Sequence, residues 1–257
     1  MSASDTPAAN ASGAAAVRIG CAGWSIPRAH AARFPADGSQ LERYAQVFDA
    51  VEINSSFYRP HQPATWRKWS DAVPADFSFA VKMPKSISHG ARLRECSPLL
   101  DAFIAQVSNL GDKLGCLLLQ LPPSLAWDAG VALPFFEQLR RVYRGPVACE
   151  PRHASWFSAA VSQALREHAI ARAAADPARL PRAALPAGDR RFCYVRLHGS
   201  PRIYYDAYDA ATLTRIAAHL RLPGGVRREC WCIFDNTAAG HATGNALELR
   251  ERLAANR

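Results

Sequence analysis

Eight short apolar runs recur along the chain, and turn or helix signals bound each of them. They lie at 18–24, 50–54, 77–82, 115–122, 147–152, 170–176, 192–199 and 229–236. Runs of this length are typical of buried strands. Segments with the period of an amphipathic helix separate most of them, and another such segment, at 244–255, follows the eighth run. The pattern therefore predicts alternating strands and helices.

Alternating strands and helices indicate a parallel α/β sheet. Eight units within 17–257 favour a single closed TIM-type (β/α)8 barrel, and no glycine-rich dinucleotide-binding loop follows the first strand. Residues 177–190 hold three prolines and leave room for little more than one helical turn, so we expect an irregular sixth unit. The small and polar segment 1–16 is predicted to be a disordered tail.

Side-chain parity divides each predicted strand into an apolar face and a polar face. In 50–54, Glu52 and Asn54 share one face, whereas Val51 and Ile53 share the other. The strands that end at 82, 152 and 199 have the same division. Because their polar faces become more charged toward the C-terminal end, where barrel enzymes hold their active sites, we expect a charged site there.

Composition narrows the class of protein. The chain has 257 residues, 49% of them hydrophobic, and no apolar run approaches the ~18 residues of a membrane span. Its formal charge is +9, but arginines spread along the helices supply most of it, which favours a solvated basic surface. The seven cysteines form no CxxC pair and are expected to be buried free thiols. No signal peptide is recognisable, and we expect a cytoplasmic protein without membrane contact.

Motifs along nearly the whole chain resemble those of the YecE-like family, domain of unknown function seventy-two. The matching stretches lie at 19–27, 44–69, 77–89, 114–128, 149–157, 171–178, 193–200 and 233–249. The resemblance implies a TIM-type barrel and no established activity. Two positions depart from the family pattern: Asp235 stands where an amide is usual, and Asp176 lacks the aromatic neighbours common there.

Four side chains on the predicted polar faces are candidates for catalysis. They are Glu52, Glu150, Lys82 and His198. Two carboxylates whose environments separate their pKa values can act as general acid and general base. The alternative is that cations on neighbouring strands neutralise both carboxylates in a structural ion-pair network. Lys82 is also a candidate for a Schiff base.

Further polar and aromatic side chains at or just beyond the strand ends are candidates for substrate binding. They are Asn54, Tyr58, Gln120, Arg152, His153, Trp156, Asp176, Arg196, Tyr204, Asp235 and Asn236. Arginine forks suit phosphate or carboxylate groups, and amides fix the orientation of a polar ligand. For the amides the alternative is loop capping, and for the aromatics it is a place in the core above the strand ends.

No cofactor is indicated. Histidines and carboxylates at the strand ends could bind a divalent metal, but the chain contains no HxH or HExxH spacing. Three functions remain open. The first is an enzyme of general acid/base type acting on a small phosphate or carboxylate compound, which we favour. The second is a nucleic-acid phosphodiesterase or nucleic-acid-binding protein, metal-assisted in one version. The third is a non-catalytic protein that binds a small ligand.

Overall fold

The computed structural model describes residues 17–221 and 229–255, so the predicted tail at 1–16 lies outside the described residues. The strands are β1 Val17–Cys21, β2 Ala50–Ile53, β3 Ser78–Lys82, β4 Leu114–Gln120, β5 Val147–Glu150, β6 Ile170–Arg172, β7 Ala174–Asp176, β8 Ala187–Gly188, β9 Phe192–Leu197 and β10 Glu229–Phe234. The α-helices are α1 Gln40–Ala45, α2 Pro63–Asp71, α3 Ser97–Val107, α4 Ala129–Val142, α5 Ala159–Glu167, α6 Ala210–Arg221 and α7 His241–Ala254.

The strands form two hydrogen-bonded sheets. One has the order β1-β10-β9-β7 and the other β2-β3-β4-β5-β6-β8. Neighbouring strands are parallel except for β6 and β8, which are antiparallel. The prediction of a mixed α/β fold with parallel strands is therefore confirmed. The described strands do not form one continuous ladder, so the structure shows two sheets and no closed barrel.

The predicted sixth strand, 170–176, is divided between the two sheets at Ala173. Before that residue β6 pairs with β5, and its other edge is taken by β8. After it, β7 pairs with β9. The backbone N–H of Ala173 donates to Cys149 O at 2.8 Å, so the chain is held on both sides of the division. The short β8 and a 3-10 turn at Pro181–Ala184 replace a crossover helix, which confirms the irregular sixth unit.

The side chain of Tyr44 lies between β1 and β2, at the other boundary between the sheets. Its hydroxyl accepts from the Cys21 N–H at 2.8 Å and donates to Ala50 O at 3.0 Å. Beyond the hydroxyl, Ala22 and Glu52 form an isolated parallel bridge. The chains come so close that a Cβ on Gly20 would lie 2.1 Å from Ala50 O. A tyrosine hydroxyl thus stands where direct backbone pairing would otherwise occur.

The strand faces pack into two separate apolar groups. One face packs against the helices in a large core that includes Val51, Phe79 and Leu119. The opposite face carries small residues together with Tyr194 and Trp231, whose rings stack with centroids 6.2 Å apart. Along each strand, this second group precedes the charged residues that lie on the same strand face. It therefore forms the floor beneath the candidate site.

All seven cysteines are buried, as predicted. Burial raises the pKa of the Cys21 thiol to about 12, which keeps it protonated and unreactive. Among the described residues, no helix is both long and apolar enough to cross a membrane.

Candidate functional site

Arg196 is the centre of the charged cluster and has no exposed surface. Its Nε and Nη2 donate to the two carboxylate oxygens of Glu52 at 2.9 and 2.6 Å. Its Nη1 donates to Glu150 Oε2 at 2.6 Å, and Nη2 also reaches Asp235 Oδ2 at 3.0 Å. Burial alone would lower the pKa of Arg196, but these carboxylates outweigh it and raise the pKa well above its ordinary value. Arg196 is therefore a permanent cation that joins three strand ends.

Glu52 and Tyr194 form the deepest layer of the cluster. The Tyr194 hydroxyl donates to Glu52 Oε2 at 2.8 Å, and the Glu52 side chain is fully buried. Burial, together with the Glu52 charge, raises the pKa of Tyr194 well above its ordinary range, so the hydroxyl stays a donor. Tyr194 is absent from the predicted site residues. Its parity with Arg196, two residues later on β9, is the signal that could have identified it.

Glu150 accepts hydrogen bonds from several elements at once. Besides Arg196, it binds Arg152 Nη2 at 3.1 Å and Gln120 Nε2 at 3.2 Å. Burial would raise the pKa of this carboxyl, but Arg196, His198 and Arg152 together hold it well below its usual range. Glu150 is thus ionised, and both of its carboxylate oxygens already accept hydrogen bonds.

His198 lies between two carboxylates. Its Nδ1 is 3.0 Å from Asp235 Oδ2, whereas its Nε2 is 3.3 Å from Glu150 Oε1 without the geometry of a hydrogen bond. Burial would lower the pKa of His198, but Glu150 and Asp235 outweigh it and raise the pKa. Burial likewise would raise the pKa of Asp235, and the neighbouring Arg196 and His198 lower it instead. The pair therefore holds a proton on His198 beside an ionised Asp235.

Lys82 is the cation with the fewest partners in the cluster. Its Nζ lies 4.3 Å from the centre of the Phe57 ring, in a cation–π contact. Within the described part of the chain, Nζ has no hydrogen-bond acceptor and no carboxylate within 4.0 Å. Burial and the positive charge of Arg196 lower its pKa, against a smaller opposing effect of Glu52, Asp235 and Glu150.

Two further predicted residues lie at the edge of the cluster. Asn54 Nδ2 is 3.5 Å from Asp235 Oδ1. The Oδ1 of Asn54 is buried and has no hydrogen-bond partner among the residues that the structure describes. The ring of Tyr204 stands edge-on to His198 with centroids 5.7 Å apart, and the Tyr204 N–H donates to His198 O at 2.5 Å. Tyr204 thus covers His198 from the segment after β9.

His89 belongs to this edge and is missing from the predicted residues. Its ring stands edge-on to Phe57, and its pKa is lowered by burial and by the charges of Lys82, Lys85 and Arg152. It ends the stretch 77–89 that carries the family resemblance, and this position is the signal that could have identified it.

The structure places Asp176 and Asn236 outside the cluster. Asp176 is in register with Leu197, whose side chain belongs to the helix-facing core, so it points away from Arg196. Asn236 Nδ2 donates to Asp206 O at 3.1 Å and to Asn245 Oδ1 at 2.9 Å. Asn236 therefore connects the segment before α6 to α7. Both Asp176 and Asn236 lie outside the cluster because successive side chains of a strand point to opposite faces, and each of them follows an inward-facing position.

Three more predicted residues lie away from the cluster in the loops. His153 caps the 3-10 turn Ala154–Phe157 by accepting from the Ser155 N–H at 3.2 Å. Trp156 is buried in the core and donates to Leu125 O at 2.9 Å. Tyr58 is 79% exposed. The structure therefore shows His153 as a loop cap and, for Trp156, the alternative of core packing.

Within residues 17–221 and 229–255, no three His, Cys, Asp or Glu side chains are arranged to hold a metal ion. The carboxylates that meet at the strand ends have arginine or histidine donors as partners instead. The arrangement can bind a polar ligand, hold a proton on His198 and supply positive charge from Lys82 and Arg152.

The chain is similar to proteins of one family over almost its whole length. A family model described as "Protein of unknown function DUF72" matches residues 18–257. The UPF0759 protein YunF of Bacillus subtilis is 23% identical, with 92% of this chain and 94% of that protein covered. The UPF0759 protein YecE of Escherichia coli K12 is 38% identical over 84 residues, which span 33% of this chain and 31% of YecE.

Solved structures agree with the family match. A DUF72 family protein from Thermotoga maritima has a TM-score of 0.76 at 25% identity, with 93% of this chain and 99% of that one covered. A DUF72 family protein from Enterococcus faecalis has a TM-score of 0.75 at 19% identity, with 93% and 95% covered. A 2,3-dimethylmalate lyase, at a TM-score of 0.51 and 11% identity, shares the fold only. The chain therefore belongs to the DUF72 family.

Proposed function

We propose that this protein is an enzyme that binds a small anionic substrate at the carboxyl ends of its strands and acts on it by general acid/base chemistry. The observation that carries the proposal is Lys82, a largely buried cation that has no hydrogen-bond acceptor among the described residues and lies beside carboxylates that already have other partners. An unpaired buried charge is costly, so a fold keeps one where a ligand completes it.

The charges around Lys82 support an anion. Three carboxylates meet four basic groups in the cluster, since Glu52, Glu150 and Asp235 face Arg196, Arg152, Lys82 and a protonated His198. The further basic groups Lys85 and His89 lie near Lys82 at the edge. A phosphate or carboxylate seated here would offset this excess of positive charge, and Arg152 offers a planar fork to it.

We assign the proton transfer to His198. Asp235 fixes its Nδ1, and its Nε2, 3.3 Å from Glu150 Oε1, has no aligned hydrogen-bond partner in the described part of the chain, so we assign the proton on Nε2 to a substrate atom. A raised pKa suits a group that donates a proton near neutral pH. Gln120, Asn54 and Tyr204 would orient the ligand, because each of them borders His198, Asp235 or Glu150.

Glu52 and Glu150 take positioning roles in this proposal, unlike their predicted roles as acid and base. Both oxygens of Glu52 are bound to Arg196 beneath the site, out of reach of a substrate. The low pKa of Glu150 makes it a weak base, whereas its charge keeps His198 protonated. Lys82 and Arg152 remain as the groups that contact the anion.

Thermal unfolding with a ligand panel tests the proposal. The panel contains inorganic phosphate, sugar acids, hydroxy acids, nucleotides, short DNA and divalent metals. A ligand at a hundred times its dissociation constant stabilises the fold by about 2.7 kcal/mol, which shifts the midpoint measurably. We expect a small anion to stabilise the wild type but not Lys82→Met. Lys68→Met, which changes an exposed lysine on α2, is the control and should be stabilised like the wild type.

The other arms of the panel test the other two functions. Stabilisation by DNA alone, with a steep loss on adding salt, would replace the small substrate by a nucleic acid. Stabilisation by a small anion without turnover of any offered compound would favour a non-catalytic ligand-binding protein. If no anion stabilises the wild type, the anion site does not exist.

We also infer that residues 17–257 form a single closed (β/α)8 barrel in the cytoplasm. The Tyr44 hydroxyl, the Ala22–Glu52 bridge and a 2.9 Å hydrogen bond from Gly23 N–H to Glu52 O link the sheets at one boundary. At the other, β6 and β7 are separated by Ala173 alone. The buried free thiols of Cys21, Cys96, Cys116, Cys149 and Cys232 support a reducing compartment.

A further inference from the structure

We propose that Lys82 is a nucleophile that forms an imine with the carbonyl group of a small 2-oxo acid. This inference rests on the proposed function, since it requires an anion site at the strand ends, and it names the substrate class of that site. It adds covalent catalysis, which general acid/base chemistry alone does not require.

The surroundings of Lys82 differ from those of the other three lysines of the chain. Lys113 donates to Ser70 O at 2.5 Å and to Val73 O at 2.6 Å, so its nitrogen is occupied by backbone acceptors. Lys68 and Lys85 are exposed to solvent. Lys82 is buried at the end of β3 with its Nζ over the Phe57 ring and no acceptor among the described residues.

An amine must lose its proton before it can attack a carbonyl carbon, and the site favours this loss. A lysine that is desolvated and close to another cation is the arrangement that activates amine nucleophiles, whereas the contact of Nζ with the Phe57 ring acts in the opposite direction. Arg196 is that second cation, and together with burial it lowers the pKa of Lys82. A lysine paired with a carboxylate would be held protonated instead, and here Arg196, Arg152 and His198 take up the carboxylates.

Two other members of the charged cluster, Arg152 and His198, would supply the other two requirements of imine formation. Arg152, whose side chain is 25% exposed, can bind the carboxylate of the acid while it remains bonded to Glu150. His198 carries a proton that can pass to the departing hydroxyl. A 2-oxo acid carries its carboxylate and its carbonyl on adjacent carbons, so one small molecule can meet both groups.

The step is balanced without an oxidant or a reductant. The Lys82 ammonium releases one proton, and the nitrogen lone pair forms a C–N bond to the carbonyl carbon. The carbonyl oxygen takes up protons, first to become the carbinolamine hydroxyl and then to leave as water. The sum is one ammonium and one carbonyl giving one protonated imine and one water.

Reductive trapping tests the inference in the full-length protein. Wild type is incubated with pyruvate or glyoxylate and sodium borohydride, which reduces an imine to a stable secondary amine. Peptide mass spectrometry then locates an added mass equal to the acid less one oxygen atom. Because the chain has only four lysines, Lys68, Lys82, Lys85 and Lys113, every site can be read separately.

We expect Lys82 to be modified at least about tenfold more than Lys85, as an activated amine should be. Lys68→Met, at an exposed position of α2, is the matched control and should keep the full modification of Lys82. Lys82→Arg retains the positive charge but cannot form an imine, so it should lose the adduct. Equal modification of the exposed Lys68 and Lys85, or none at Lys82, would overturn the inference.

Lactate has a hydroxyl group where pyruvate has its 2-oxo group, so it can bind as an anion but cannot form an imine. It therefore separates this inference from the proposed function. If lactate stabilises wild type and Lys82→Arg against thermal unfolding while pyruvate leaves no adduct on Lys82, the anion site stands and the imine does not. If neither acid stabilises the protein and no adduct forms, both fail. Stabilisation by lactate together with a specific Lys82 adduct supports both.

Discussion

Arg196 shows how a single residue holds the site together. It is fully buried and contacts Glu52, Glu150 and Asp235, which come from β2, β5 and the end of β10. A buried ion pair adds little net stability, because desolvation offsets the attraction, but loss of one partner leaves an uncompensated charge. The arrangement therefore depends on the arginine far more than the sum of its hydrogen bonds suggests.

We expect Arg196→Met to lower the free energy of unfolding by about 3–5 kcal/mol, the usual cost of breaking a buried pair. Urea denaturation at neutral pH measures it. Arg33→Met is the control, because Arg33 and Glu251 form a pair in which both side chains are exposed, and such pairs contribute about 1 kcal/mol or less. Similar losses in the two variants would contradict the view that Arg196 balances the cluster.

Lys82 has the opposite relation to stability. Burial lowers its pKa, so the folded state disfavours its charge, and Lys82→Met should raise the free energy of unfolding by about 1 kcal/mol. The same variant should lose anion binding. Lys68→Met serves as the exposed control, with little change in either property. A Lys82→Met protein that is less stable than wild type would show that the ammonium has a structural partner.

At the scale of elements, the boundary between β1 and β2 depends on α1. The single hydroxyl of Tyr44 satisfies one backbone donor on β1 and one backbone acceptor on β2, and the side chain is fully buried. Burial raises the pKa of Tyr44 well above its ordinary value, so the hydroxyl keeps the proton that it donates. The helix thereby fixes the separation of two strands that each lead to the site.

Tyr44→Phe should cost about 2 kcal/mol of unfolding free energy, because it leaves a buried N–H and a buried C=O without a partner. Hydrogen exchange should also become faster at the Cys21 amide. Tyr205→Phe, at an exposed position, is the control and should change neither quantity. Unchanged exchange at Cys21 would mean that the hydroxyl does not bridge the strands.

For the whole molecule, the cluster links stability to pH from both sides. Glu150 and Asp235 have lowered pKa values in the folded state, so their contributions exist above their unfolded pKa values and are lost as the pH falls. His198 has a raised pKa, so its contribution exists below its unfolded pKa and is lost as the pH rises through the folded one. Maximal stability is expected between these two limits.

Glu150→Gln isolates the acidic limit. The difference in unfolding free energy between wild type and this variant should be largest near neutral pH. It should shrink as the pH falls below about 4, where an unfolded glutamate becomes protonated. Denaturant unfolding across pH measures the difference. Glu137→Gln, on the exposed side of α4, is the control and should give only a small difference at neutral pH. A pH-independent difference for Glu150→Gln would contradict the lowered pKa.

Much of the fold and half of the site could be predicted from local pattern. Alternating polarity put Glu52, Glu150, Arg196 and His198 on one set of strand faces, and the structure brings them together. Parity fails just beyond a strand end, since the chain no longer alternates in a loop. His153 and Trp156 lie there, and the structure turns them to a cap and to the core.

The sequence by itself determined the parallel α/β class, the order of its strands and the polar face of each, because side chains alternate with a period of two and apolar faces must be buried. Only the tertiary structure decided how the charges pair. Arg196 binds Glu52, from which it is separated by 144 positions in the sequence, and no local sequence pattern predicts a contact between such distant residues. The division of the sixth strand, the Tyr44 hydroxyl between β1 and β2 and the placement of Lys82 over the Phe57 ring likewise arise from packing between distant segments.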